Sequence, residues 1–174
     1  QQSSPNMCDN NQLVVTLTRS EMFQDYAQAY TEATGMPLTL RPVTIWRLPF
    51  HGLRKENSFC AAIAAKGRAC AACLQLQEKL TQDARNQPAT RACVYGLCET
   101  AVPVKLGDQT IGFLQTGQVL RQRPTEASFQ VAGAQAVRRG VTIDDESTRR
   151  AYFATPVLTP KRLHAATSLL TLFA

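Results

Sequence analysis

Five of the six cysteines fall between Cys60 and Cys98, in the series C-x9-C-x2-C-x19-C-x4-C that runs through Cys70, Cys73 and Cys93. Cys70-x-x-Cys73 can present two thiolates to one ion. Cys93 with Cys98 then completes a tetrahedral set of the kind zinc takes, and Cys60 replaces Cys98 if the helices that carry it pack antiparallel. An iron–sulfur cluster would draw on the same donors. Two other readings stand beside a metal. A thiol packs like a small hydrophobe, and Ala61, Ala62, Ala71 and Ala72 surround Cys60, Cys70 and Cys73. A redox-active pair is the third. No signal-peptide pattern opens the chain, so a reducing, cytoplasmic setting is expected, where clustered cysteines point to metal or redox chemistry before disulfides.

Catalytic groups are sparse. His51 and His164 are the only histidines. A Cys–His pair with His51 is the one nucleophilic arrangement on offer. No phosphate-binding glycine loop, GxSxG or HExxH occurs, so an enzyme is not expected. A small-molecule pocket suits the residues better, since such pockets are mostly apolar with a few orienting polar groups. Trp46, Tyr95, Phe113, Gln115 and Gln118 are the candidates. The two glutamines share one strand and should face opposite sides of it, unless a bulge at Gly117 shifts the register.

The elements that must position these residues centre on 91–120. Val102, Val104 and Leu106 alternate with Ala101, Pro103 and Lys105, Gly107-Asp108 supplies a turn, and Thr110 to Leu120 forms a second, longer strand. Upstream, residues 1–12 read as a flexible segment and 13–17 as an apolar lead-in. Thr18 and Glu21 form a capping box, with Leu17 and Met22 as its staple, for a helix that Gly35 and Pro37 stop. Short β stretches are expected at Leu38 to Arg41 and Thr44 to Leu48, and helices from Asn57 to Gly67 and over Ala69 to Ala84. After Leu120 come helices opened by Pro124-Thr125, by Asp144 or Asp145, and by Thr159-Pro160. Leu163, Ala166, Leu170 and Phe173 make the stripe of the last helix, widened by Leu169 and Leu172. Its apolar end carries no stop signal, so the natural protein is expected to continue, and the exposed flank suggests pairing in a homodimer. This order argues α+β, an antiparallel sheet with helices on one face.

With 174 residues and 44% hydrophobic content the chain suits one domain. No apolar run approaches the roughly 20 residues of a membrane span. The formal charge of +6 is scattered in short pairs such as Arg138-Arg139 and Lys161-Arg162, so direct nucleic-acid binding is not expected.

The stretches NSFCAAIAAKGRACAACLQLQEKL and CVYGLCETAVPVKLGDQTIGFLQTGQVL resemble the PocR-type sensory domain. The resemblance rests on Cys93 before Gly96-Leu97, on Val102-Pro103-Val104, on Ile111-Gly112 and on Gly117-Gln118. It covers roughly residues 13 to 125, and Cys98 after Gly96-Leu97 departs from the pattern. It implies a PAS-like fold over 13–158. Residues 159–174 would then be a signalling helix leading to an output domain, either an AraC-type DNA-binding region or a sensor kinase. It also implies a small hydrocarbon derivative, such as a short diol, as effector, with DNA contacted only by the separate output domain. A metal or redox sensor using the Cys60–Cys98 cluster is the alternative.

Overall fold

A computed structural model describes residues 6–44, 47–67 and 70–174; the side chains of 6–8 and 70 lie outside that description. In chain order the elements are α1 Asn6–Thr18, α2 Glu21–Thr34, β1 Leu38–Pro42, α3 Ser58–Ala65, α4 Cys70–Asp83, β2 Ala89–Ala92, β3 Cys98–Leu106, β4 Gln109–Val119, α5 Glu126–Val137, α6 Glu146–Phe153 and α7 Pro160–Phe173. The strands form one antiparallel sheet in the order β1-β4-β3-β2. This is an α+β, PAS-like fold closed by a C-terminal helix. No helix among the described residues is long and apolar enough to cross a membrane.

The expected hairpin forms as read: β3 ends at Leu106, β4 starts at Gln109, and Gly107 turns the chain at φ 61°. Helices cover both faces of the sheet, where the sequence pattern gave one. Adjacent residues of β4 show it, since side chains alternate along a strand. Thr116 accepts from the Tyr30 hydroxyl of α2 at 3.1 Å, while Gln115 bonds Gln77 of α4 at 2.6 Å. β4 is therefore buried at every position from Ile111 to Val119. On one face α1, α2 and α7 pack Val14, Tyr30 and Leu170 against Leu40, Val102 and Leu114. On the other, Leu80 and Ala84 of α4 meet Ala101 and Phe113. Fully buried side chains such as Leu80 and Phe113 contribute about 1.5–3 kcal/mol each.

Helix starts follow local capping chemistry, with one exchange. Thr18 does not cap α2. It closes α1, its hydroxyl bonding the Val14 carbonyl four residues back at 2.8 Å, a geometry threonine adopts inside helices. Ser20 caps instead, accepting from Phe23 N–H at 3.2 Å, and Met22 is exposed, so no staple forms. The segment from Asn6, expected to be flexible up to residue 12, is helical. None of the described residues between Val43 and Leu48 is a strand; Trp46 lies outside the described residues. β2, just before and within the start of the central stretch, is a short edge strand along β3.

Candidate ligand-binding site

The bulge in β4 sets the geometry. Cys98 pairs with Val119 and Glu99 with Gly117, which leaves Gln118 without a partner across the ladder. Gly117 has φ 135°, and a Cβ there would sit 2.5 Å from the Cys98 carbonyl oxygen. Only glycine fits so close an approach. Gln118 follows at φ 59°, rare for a residue with a side chain. The extra residue shifts the alternation, and both glutamines become buried.

Gln118 is fastened to the start of α3. Its Oε1 accepts from the Asn57 backbone N–H at 2.8 Å, and its carbonyl from Asn57 Nδ2 at 3.2 Å. The same Nδ2 donates to Thr155 Oγ1 at 3.3 Å, while Asn57 Oδ1 caps α3 by accepting from Phe59 and Cys60 N–H. One buried asparagine thus joins α3, the bulge and the segment entering α7. That segment is tied to the end of β4 by Leu120 N–H to Pro156 O and Leu158 N–H to Leu120 O, both 2.9 Å.

Between α3, α4 and the sheet lies a cavity of about 40 Å³. Phe59, Cys60 and Ile63 line it from α3, Cys73, Leu76 and Gln77 from α4, and Glu99 and Gln118 from the sheet. A tight turn adds Cys93 and Tyr95. Gly96 at φ 89° lets Cys93 N–H reach the Leu97 carbonyl at 2.8 Å. Leu48 to His51 cover the remaining side, with Phe50 fully buried. Glu56 holds this loop by accepting from Gly52 N–H at 3.0 Å, with His51 Nδ1 3.7 Å from its other oxygen.

Behind the cavity runs a buried polar chain. Arg41 Nε donates to Gln115 Oε1 at 2.5 Å, and its Nη2 to Thr81 Oγ1 at 2.9 Å. Gln115 Nε2 donates to Gln77 Oε1 at 2.6 Å and to Glu99 Oε2 at 2.8 Å, and Gln77 Nε2 also donates to Glu99 Oε2, at 2.7 Å. Burial pushes the Glu99 carboxyl above the usual carboxylate range, against the pull of the two amide donors and the Arg41 charge. Burial likewise brings Arg41 down to about 10, opposed by Glu99. Both protein hydrogen bonds to Glu99 land on Oε2; Oε1 takes none from the described residues. The Tyr95 hydroxyl is enclosed and is the only such side-chain polar atom without a partner among the described residues.

Of the expected ligand contacts, Tyr95 and Gln118 border the cavity. Gln115 stands behind it, positioning Glu99, and Phe113 belongs to the α4 core, with Arg41 4.8 Å above its ring. The cysteines divide. Cys60, Cys73 and Cys93 border the cavity, whereas Cys98 packs on the opposite face with Leu114 and Val119. Cys98 points away because Glu99, its neighbour in β3, points toward α4. The Cys70 side chain is outside the described residues. Among the described residues no three His, Cys, Asp or Glu side chains are arranged to hold a metal ion. Burial, the largest effect on each, raises Cys60 well above the ordinary thiol value and Cys93 to about 12, so both are neutral thiols. Sequence reasoning passed over Glu99, Gln77 and Asn57. A lone carboxylate in the apolar run Cys98 to Val104 was the available signal for Glu99, because a buried charge needs a reason.

Neither a curated protein nor a solved structure matches the chain. The family model described as the sensory domain found in PocR matches residues 17–174, nearly the whole length, and carries the likeness through α5, α6 and α7, beyond the motifs of the central hairpin. The chain belongs to the PocR sensory-domain family.

Proposed function

We propose that this domain senses a small, polar-ended hydrocarbon derivative, of the size of a short diol, bound in the cavity between α3, α4 and the sheet. The observation that carries the reading is the cavity itself, walled mainly by apolar side chains of α3 and α4, with Gln118 and a Glu99 oxygen that no described residue bonds at its sheet side. An unsatisfied buried polar group is costly, and a ligand that bonds it recovers the cost. A volume of about 40 Å³ holds only a few heavy atoms, far below a drug-sized pocket. Binding would bias a two-state equilibrium through Gln118, Asn57 and Thr155 into the residues that enter α7. In this reading 13–158 is the sensor and 159–174 hands the change to a separate output domain, of AraC-type DNA-binding or sensor-kinase kind, in the cytoplasm. α7 would pair with its copy in a homodimer through the exposed Leu169 and Leu172. The test is calorimetry with propane-1,2-diol and related short alcohols. Binding by wild type that weakens at least roughly 10-fold in Ile63→Phe, whose larger side chain fills the cavity, supports the reading. No binding at millimolar ligand, or equal binding by the variant, overturns it.

A second reading, a metal or redox sensor, is favoured by one observation: three cysteines border the same cavity. The raised thiols argue against a redox pair, which needs thiolate character. Elemental analysis after anaerobic purification separates the two, since close to one metal per chain would replace the effector reading with a metal site.

A further inference from the structure

The cavity wall is chemically one-sided. Glu99 is buried, and its Oε2 is satisfied twice, by Gln77 and Gln115. Its Oε1 takes no bond from the described residues, yet is not among the enclosed polar atoms without partners, so it touches open space. The space that Glu99 borders is this cavity. Arg41 does not close the gap, because its donors go to Gln115, Thr81 and the Pro42 carbonyl. The other groups at the wall are apolar, thiol, amide or acidic. Glu56, at the loop side, is a second carboxylate, and His51 beside it is mostly exposed. Among the described residues that line the wall, only the mostly exposed His51 could carry a positive charge toward an anionic ligand.

We propose that Glu99 determines the specificity of this cavity: its Oε1 receives a hydrogen-bond donor of the effector, a hydroxyl or amine, and the carboxylate excludes anionic ligands of the same shape. The proposal rests on the effector reading above. A carboxylate with an oxygen lacking a donor in a poorly solvated wall favours a donor strongly. A ligand carboxylate in that position would set two acceptors of like charge together, the repulsive half of specificity.

The experiment compares propane-1,2-diol, 1-amino-2-propanol and lactate by calorimetry on wild type, Glu99→Gln and Glu99→Asp. Wild type should bind the diol and the amino alcohol and reject lactate by roughly 100-fold or more, the range of a site built around a polar contact. Glu99→Gln keeps the acceptor for Gln77 and Gln115 and loses the charge, so the diol-to-lactate ratio should fall at least roughly 10-fold. Glu99→Asp draws the charge back by one methylene. It should lose diol affinity while still rejecting lactate, and it carries the test if the glutamine variant does not fold. Lactate binding to wild type as tight as the diol, or an unchanged ratio in Glu99→Gln, overturns the proposal and leaves the effector reading standing. If neither diol nor amino alcohol binds wild type, the effector reading falls and the proposal with it.

Discussion

Asn57→Ala tests the junction on which the signalling route depends. Asn57 is 7% exposed, and its side chain makes four hydrogen bonds: two accepted by Oδ1 at the first turn of α3, and two donated by Nδ2, to the Gln118 carbonyl and to Thr155. Loss of the cap costs about 0.5–2 kcal/mol. The two donated bonds add about 1 kcal/mol each, because the Gln118 carbonyl and the Thr155 hydroxyl lose a buried partner. The sum, about 2–4 kcal/mol, corresponds to a fall in Tm of roughly 5–15 °C for a chain of this size. The backbone bond from Asn57 to Gln118 Oε1 survives substitution by alanine and does not enter. Asn57→Ser restores a capping oxygen but is too short to reach Gln118 and Thr155, so it should recover about 1 kcal/mol and fall between the two. Urea and thermal melts followed by circular dichroism measure both variants. If Asn57→Ala melts within 1–2 °C of wild type, or serine recovers everything, Asn57 is a simple cap and not a three-way fastening.

Gly117→Ala should be severely destabilising, on the order of 3 kcal/mol or more, because the new Cβ meets the Cys98 oxygen at 2.5 Å and Glu99 Cα at 2.6 Å at a φ of 135°; a urea melt with a midpoint near wild type would refute it. Asp145 is held down to about 2 chiefly by the Thr148 backbone N–H, then by the Thr148 hydroxyl and by Lys66. Its contribution is therefore present above the ordinary carboxylate value and lost as the pH falls toward 2. Asp145→Asn keeps a good cap, so the stability gap between wild type and variant should narrow as melts are taken from pH 5 down to pH 2; a constant gap would contradict this. Leu169 and Leu172 are 43% and 86% exposed on α7. If that flank is the dimer contact, Leu169→Glu with Leu172→Glu should give monomers by light scattering at concentrations where wild type is dimeric, and equal dimerisation would remove the helix from the interface.

The amino-acid sequence determined what depends on residues a few positions apart. Asn57, Asp145 and Thr159 cap the helices that follow them, each by a side-chain oxygen meeting a backbone N–H two or three residues on. Gly107-Asp108 turns the hairpin, and Pro160 opens α7. These are local encounters, readable without knowing what lies across the fold. Thr18 was legible as a cap, but the role went to Ser20 because α1 runs on to Thr18, which also reaches the Leu40 carbonyl in β1 at 3.2 Å, 22 residues away.

Only the tertiary structure decided the site. Spacing grouped Cys93 with Cys98, but the pleat sends Cys98 to the α2 and α7 face, while the turn at Gly96 keeps Cys93 beside Cys60 and Cys73. The bulge at Gly117 was readable as a condition, but its occurrence depends on how β3 and β4 align, and that alignment is what buries Gln115 and Gln118 together. Glu99 gained its meaning from Gln77, 22 residues before it, and Gln115, 16 after it. A carboxylate in a strand is an anomaly in sequence; the partners that hold one of its oxygens and leave the other to a cavity are brought there by long-range packing, which no local pattern encodes.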